Sequence, residues 1–132
     1  MAINDPIADM LTRIRNALRN RAKTVKCLNS KACRGVAEVL RDEGYITGFD
    51  VIDDGRQGII RVALKYGPRG EKVLNALRRV SRPGRRVYAK ADELPRPMQG
   101  LGVSIVSTSQ GVMSGRRALE ARVGGELLAE VE

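Results

Sequence analysis

The segment Gly67-Pro-Arg-Gly70 interrupts the hydrophobic pattern near the middle of the chain. Glycine and proline clustered in this way break helices and strands alike, so the two sides are expected to form separate elements. A chain of 132 residues is long enough for one domain or for two small lobes. We therefore predict an N-terminal lobe over residues 1–66 and a C-terminal lobe over residues 67–132.

Helix and strand signals alternate in the first half. Asp5 and Pro6 form a favourable helix start, with aspartate as N-cap and proline at the first helical position. Ser30 can cap a second helix, and Gly44 is placed to end it. The predicted order is α-β-α-β-β. The strands are expected at residues 24–28, 45–53 and 59–66.

The second half carries mainly strand signals. Pro83-Gly84 indicates a tight turn, and residues 114–122 indicate a short helix or turn. The fold class predicted for the whole chain is mixed α/β (α+β), with a mostly β C-terminal lobe that includes a short helix. Strands are expected at residues 73–81, 86–89, 102–108 and 126–131, with a short helix over 72–77 as the alternative for the first.

Positive charge is concentrated in two runs without acidic residues. The formal net charge is +9, from 24 Lys and Arg against 15 Asp and Glu. A solvated helix or strand face explains most single runs, but two runs in so basic a chain favour a nucleic acid as partner. The first run holds Arg13, Arg15, Arg19, Arg21, Lys23, Lys26, Lys31 and Arg34, and the second holds Arg78, Arg79, Arg82, Arg85, Arg86 and Lys90.

A strand pattern at residues 102–108 runs directly into three hydroxyl residues, Ser107, Thr108 and Ser109. Residues 97–132 hold three basic and four acidic side chains, so this region is nearly neutral. Hydroxyl groups at the end of a rigid strand can read the shallow minor groove of RNA by hydrogen bonding. A plain strand end with a hydroxyl turn is the alternative. The favoured interpretation is that arginines hold the phosphates while the hydroxyl residues select the shape of the RNA.

Tyr88 and the Gly124-Gly125-Glu126 segment are further candidates for the binding surface. Tyr88 is one of four aromatic residues and has arginines beside it, so it is a stacking candidate, or else a half-buried strand tyrosine. The glycines allow close backbone approach. Glu126 can accept hydrogen bonds from base amino groups or orient a nearby side chain, unless it is an ordinary surface glutamate.

Catalysis and metal binding find little support in the sequence. There is no histidine, so the usual general base at neutral pH is missing, and a hydrolase that uses Ser107 is disfavoured. Cys27 and Cys33 match no common zinc spacing and are expected to be small buried hydrophobes. No apolar run approaches the roughly 18 residues of a membrane span, and no secretory signal opens the chain. We expect a cytoplasmic protein without enzyme activity, cofactor or metal.

Several motifs, in order, resemble the bacterial small-subunit ribosomal proteins of the family numbered eight. The resemblance covers nearly the whole chain. The motifs are residues 5–17, Asp-Pro-Ile-Ala-Asp-Met-Leu-Thr-Arg-Ile-Arg-Asn-Ala; Ser30-Lys31; residues 79–88, Arg-Val-Ser-Arg-Pro-Gly-Arg-Arg-Val-Tyr; Gly100-Leu-Gly102; Ser107-Thr-Ser109; Gly111-Val-Met113; and Val123-Gly-Gly-Glu126.

The resemblance implies a two-lobed structural protein that binds the central domain of the small-subunit ribosomal RNA and helps assemble it. It implies that the C-terminal lobe holds an irregular RNA helix, with the loop of Ser107, Thr108 and Ser109 against its minor groove. It also implies neighbouring ribosomal proteins as partners and translational repression of its own operon. A free regulatory module acting on messenger RNA is the alternative. The implied RNA-binding residues, with the candidate phosphate contacts, are Ser107, Thr108, Ser109, Tyr88, Gly124, Gly125, Glu126, Arg78, Arg79, Arg82, Arg85, Arg86, Lys31 and Arg15.

The chain departs from the family pattern at four places. Gln99 stands where the family usually has asparagine, and the chain ends in Ala129-Glu130-Val131-Glu132 where the family often has an aromatic pair around valine. Arg85 stands in the central turn where the family usually has leucine. After Met113 the family generally has Thr-Asp, whereas this chain has Ser114-Gly115-Arg116-Arg117.

Overall fold

The structure of the protein is a computed structural model that describes residues 5–95 and 102–132. Within it the chain divides into two compact units, Met1–Asn75 and Ala76–Glu132. The Gly67–Gly70 segment belongs to the first unit. The lobe limits at residues 66 and 67 stay a prediction.

The first unit contains two helices and a three-stranded antiparallel sheet with the strand order β1-β3-β2. Both predicted caps form: the Asp5 carboxylate accepts from the Ala8 N–H at 3.1 Å, and the Ser30 hydroxyl accepts from the Cys33 N–H at 3.1 Å. The predicted α-β-α-β-β order is confirmed. The elements are α1 (Pro6–Arg19), β1 (Thr24–Leu28), α2 (Lys31–Asp42), β2 (Ile46–Ile52) and β3 (Ile59–Leu64).

The core of the first unit follows from helical periodicity and strand alternation. Apolar residues of α1 and α2 recur every three or four positions and are buried, while Ile60, Val62 and Leu64 alternate along β3. Gly44 directly follows the C-cap Glu43 and has φ +81°, a left-handed conformation that favours glycine there.

Both cysteines are buried, in line with the prediction, and they form no disulfide. Burial raises the pKa of the Cys27 thiol to about 12; the charge of Arg13 lowers it, and Cys33 and Asp9 raise it further. At neutral pH the Cys27 thiol therefore stays protonated and behaves as a small apolar group.

The second unit is built around β8, the longest of its described strands, in a five-stranded antiparallel sheet. The order is β4-β8-β6-β7, and β5 also pairs with β8. The elements are β4 (Leu77–Arg79), β5 (Tyr88–Ala89), a short 3-10 helix (Ala91–Glu93), β6 (Val103–Thr108), β7 (Gly111–Ser114), α3 (Gly115–Ala121) and β8 (Gly125–Val131). The predicted mixed fold, with a mostly β C-terminal part and a short helix, is confirmed.

Three details of the second unit differ from the sequence prediction. The strands expected at residues 73–81 and 86–89 shorten to Leu77–Arg79 and Tyr88–Ala89, and the alternative helix over 72–77 does not form. Strand β7 was not expected. Among the described strands, both short ones pair with β8 alone, so their extent is set by where that distant strand offers hydrogen bonds rather than by local propensity.

Candidate nucleic-acid interface

The three hydroxyl residues lie at the tip of the hairpin formed by β6 and β7. Thr108 pairs with Gly111, which leaves Ser109 and Gln110 as the connection. The Thr108 hydroxyl accepts from the Gln110 N–H at 3.0 Å and donates to the Gly111 carbonyl at 2.8 Å. Thr108 therefore fixes the turn, while within the described chain the hydroxyls of Ser107 and Ser109 have no protein partner.

Gly124 and Gly125 allow backbone segments to pass unusually close to one another. A Cβ at Gly125 would lie closer than 3.0 Å to the carbonyl oxygen of Ser107, and one at Gly124 would come as close to the carbonyl oxygen of Ala89. Real Cβ atoms essentially never show such separations. The absence of side chains at the two glycines therefore lets the start of β8 lie close to β6 and to the end of β5. The glycines shape the surface in this way although they contribute no side chain to it.

Glu126 stands at the centre of this surface, between β5 and β6. On β8 it pairs with Tyr88 on one side and with Ser107 on the other. Its carboxylate accepts from the Ser81 hydroxyl at 2.5 Å and from Arg86 Nη1 at 2.8 Å. The arrangement favours the orienting role that the sequence left open for Glu126, because one of its carboxylate oxygens takes both bonds.

The electrostatic surroundings keep Glu126 ionised. Partial burial raises the pKa of the carboxyl, but the hydrogen bonds from Ser81 and Arg86 and the charges of Arg86 and Arg79 outweigh it. The pKa of Glu126 consequently lies below its ordinary value. A carboxylate that is held in this way is a fixed negative point within a basic surface.

Tyr88 projects into solvent rather than into the core. Tyr88 is 70% exposed, which excludes the alternative of a half-buried strand tyrosine. Beside it a shallow groove is lined by Lys90, Arg122 and the two glycines, among others. Arg122 caps α3 in the left-handed region with φ 57°. Lys90 and Arg122 are not among the candidate site residues predicted from the sequence. Lys90 could have been found because it lies in the second basic run, whereas no sequence signal pointed to Arg122.

Two arginines of the second basic run stand on a narrow turn. The backbone N–H groups of Arg82 and Arg85 each donate to the other residue's carbonyl, at 3.0 and 2.9 Å, with Pro83 and Gly84 between them. Both arginines are exposed, and neither side chain has a partner among the described residues. The turn therefore presents two uncompensated positive charges to solvent.

The other arginines of that run bond within the protein. Arg78 pairs with Glu132 at 3.0 Å and with Glu130 at 3.3 Å. Arg79 donates to the Leu128 carbonyl at 2.7 Å, and Arg86 pairs with Glu126 as described above. Three of these four bonds reach β8 and the fourth reaches Glu132 just beyond it, so these side chains tie neighbouring segments to the central strand.

Comparison with known proteins decides the family. The family model described as ribosomal protein S8 matches residues 5–131. The chain belongs to the ribosomal protein S8 family. It is 52% identical over 131 residues to the small ribosomal subunit protein uS8 of Caldicellulosiruptor bescii and 52% identical to that of Halalkalibacterium halodurans. The same protein of Streptococcus pneumoniae is 48% identical. In each comparison the match covers 99% of both chains.

Members of the S8 family are structural ribosomal proteins and not enzymes. Among the residues that the structure describes, no three histidine, cysteine, aspartate or glutamate side chains are grouped to hold a metal ion. Within the same part of the chain, no helix combines the length and hydropathy needed to cross a membrane.

The remaining candidates of this S8 family member lie in the first unit, whereas all the others lie in the second. Lys31 is the exposed first residue of α2, and Arg15 lies on the exposed face of α1. Two other arginines of the first basic run bond within the protein: Arg13 pairs with Asp9 one helical turn away at 2.8 Å, and Arg21 donates to the distant Gly70 carbonyl at 2.5 Å. Of the family motif Gly100-Leu-Gly102, the first two residues lie outside the described part of the chain.

Proposed function

We propose that this protein is a constituent of the small ribosomal subunit that binds the central domain of its ribosomal RNA and helps that domain assemble. Membership of the ribosomal protein S8 family supports the first part, since the similar bacterial proteins are named for that subunit. The RNA contact and its location are our inference from the surface of the second unit and from the motifs of the chain.

One observation carries the proposal: three kinds of RNA-binding group converge on the strand β8 at Glu126. The hydroxyl hairpin pairs with β8 through Ser107, the exposed Tyr88 pairs with it from the other side, and Ser81 at the base of the arginine turn bonds to Glu126. Hydroxyl groups, a stacking ring and free guanidinium groups together suit RNA better than any of them does alone.

Each group has a distinct task in this arrangement. Ser107 and Ser109 can exchange hydrogen bonds with 2′-hydroxyls and base edges in the shallow minor groove. Tyr88 offers a ring on which an unstacked base can rest, a contact worth about 1–3 kcal/mol. Arg82 and Arg85 neutralise phosphates, which adds affinity without sequence information. The irregular RNA stem that the family resemblance implies would offer a contact to each of these three kinds of group.

The test compares the wild-type protein with the double variant Ser107→Ala, Ser109→Ala. Two RNA hairpins are titrated: one with an irregular internal loop in its stem and one with a fully paired stem of the same length. We expect affinity for the irregular stem to fall about tenfold, because two hydrogen bonds are lost, while affinity for the paired stem hardly changes. Thr108 is left intact so that the turn keeps its geometry.

Thr47→Ala is the matched control, because it removes an exposed hydroxyl from β2 of the first unit. Its affinity for both hairpins is expected to equal that of the wild type. Undiminished binding of the irregular stem by the double variant would overturn the role given to the hydroxyl residues. A wild-type protein that bound both stems equally would overturn recognition of RNA shape.

We extend the proposal to translational repression of the protein's own operon, because one surface binds any RNA that presents the same shape. A free regulatory module on messenger RNA is the competing function. Sedimentation of cell extracts separates the two, since a ribosomal constituent is expected in small-subunit particles. A protein found only outside those particles would favour the free module. Competition between operon RNA and ribosomal RNA for the purified protein tests repression.

A further inference from the structure

We propose that Ser81 is a positioning residue of the RNA-binding surface, although it cannot touch RNA itself. The proposal rests on the function proposed above. Ser81 is completely buried, with 0% of its surface exposed. Its hydroxyl joins two segments that carry candidate RNA contacts: Val87, immediately before β5, and Glu126 on β8.

Both hydrogen bonds of the Ser81 hydroxyl point across the base of the arginine turn. The hydroxyl donates to the Glu126 carboxylate at 2.5 Å and accepts from the Val87 N–H at 3.1 Å. The backbone adds two more ties at the same level: the Ser81 N–H donates to the Leu127 carbonyl at 3.0 Å, and the Leu127 N–H donates to the Val87 carbonyl at 2.9 Å. The two ends of the turn are thus fixed to β8 and to each other.

The role of Ser81 extends beyond packing because the segments that it joins carry the candidate RNA contacts. Between Ser81 and Val87 lie Arg82 and Arg85 at the turn, and Tyr88 follows immediately. Glu126 in turn pairs with Ser107 at the hydroxyl hairpin. One buried hydroxyl therefore couples the phosphate-binding turn, the stacking ring and the hydroxyl tip.

Alanine at this position would break the coupling while leaving the strands in place. The Val87 N–H and one lone pair of the Glu126 carboxylate would lose their partner, and the turn could then move relative to β8. Arg86 would still bond to Glu126, so the carboxylate would remain paired with a charge. We expect a loss of order at the RNA-binding surface rather than unfolding.

The experiment measures binding of Ser81→Ala to the hairpin RNA with the irregular internal loop, over a range of salt concentrations. We expect affinity to fall about tenfold, in keeping with a lost hydrogen bond to a charged group. The slope of affinity against salt should change by less than about one unit, because Arg82 and Arg85 keep their charges and their long side chains can still reach phosphates when the turn moves. Ser104→Ala is the control, since Ser104 is a second buried serine of the same unit, 3% exposed, and its substitution should leave affinity unchanged.

A double-mutant cycle with Glu126→Ala, which removes the acceptor of the Ser81 hydroxyl, separates positioning from general loss of stability. If Ser81 acts through Glu126, Ser81→Ala should weaken binding less than about twofold in the Glu126→Ala background. An equal loss in both backgrounds would overturn the coupling. Denaturant unfolding of each variant shows that the measurements are made on folded protein.

The proposal and the function beneath it fail in different ways. If Ser81→Ala binds like the wild type while the Ser107 and Ser109 double variant is impaired, positioning by Ser81 is overturned and the RNA surface stands. If the double variant also binds like the wild type, the role of the hydroxyl hairpin fails as well. Restored affinity in Ser81→Thr, which keeps the hydroxyl, would support the proposal further.

Discussion

The Thr108 hydroxyl bonds twice within its own turn, while its neighbours Ser107 and Ser109 leave theirs available. A single motif of three similar residues thus contains one residue that shapes the surface and two that can bind. The same division runs through the other candidates: Glu126 is held by its neighbours, whereas Tyr88 projects outward. Residue type selects the candidate segment, but only hydrogen-bond partners distinguish a supporting residue from one that is available for contact.

Glu126 gives a prediction about stability and pH. Its folded-state pKa is depressed, so its contribution is fully present above the unfolded value and is lost as the pH falls through the folded one. We expect Glu126→Gln to destabilise the protein at pH 7, and we expect the difference from wild type to shrink towards pH 3. Denaturant unfolding of both proteins at pH 7 and pH 3 measures this difference in the free energy of unfolding. The groups facing the carboxylate are Ser81, Arg86 and Arg79.

Glu120→Gln is the matched control for Glu126→Gln, because it removes one carboxylate from the exposed face of α3. It reports the general effect of changing the net charge. A difference between Glu126→Gln and wild type that stayed constant from pH 7 to pH 3 would contradict the stabilising role of the ionised carboxylate.

At the scale of elements, local signals predicted the first unit well and the second less well. Helices α1 and α2 have N-caps, Asp5 and Ser30, and apolar residues at helical spacing within their own segments. Their limits can therefore be predicted from the local sequence. Strand β7 was missed because Ser109-Gln110 is not one of the strong two-residue hairpin signals. The link between Ser81 and Glu126 joins residues 45 positions apart, and no local pattern can reveal it.

Gly125→Ala tests how closely β8 must approach β6. The added Cβ would collide with the backbone of Ser107, and a backbone oxygen cannot swing aside as a flexible side chain could. We expect a loss of about 1–3 kcal/mol in the free energy of unfolding, the usual range for overpacking. Affinity for the irregular RNA stem should fall as well, because the hairpin tip would be displaced. Denaturant unfolding and titration of the RNA hairpin measure the two effects.

Gly84→Ala is the control for that substitution within the same unit. A Cβ at Gly84 would meet nothing within 4 Å. Replacing glycine at a compatible position also reduces the entropy of the unfolded chain, so the variant should be as stable as wild type or slightly more. Equal stability of the Gly84 and Gly125 variants would show that the close approach at Gly125 is unimportant.

For the whole molecule, the count of 24 Lys and Arg side chains overstates the number of cations that are free to meet RNA. In the first unit Arg61 pairs with Asp50 at 2.7 Å, and Arg13 pairs with Asp9. In the second, Arg78 and Arg86 are paired with carboxylates on or just beyond β8. Composition indicates a polyanionic partner, but which cations are available to it depends on pairing that only the fold defines.

Salt dependence makes this distinction measurable. Arg85→Gln should lower RNA affinity and reduce the slope of log affinity against log salt by about one unit, because one phosphate contact is lost. Arg78→Gln should leave that slope unchanged and should instead lower stability by up to about 1 kcal/mol, as an exposed ion pair does. Both variants remove one positive charge, so each is the control for the other. Equal slopes would mean that net charge alone governs binding, and the assignment of phosphate contact to the Arg82–Arg85 turn would fall.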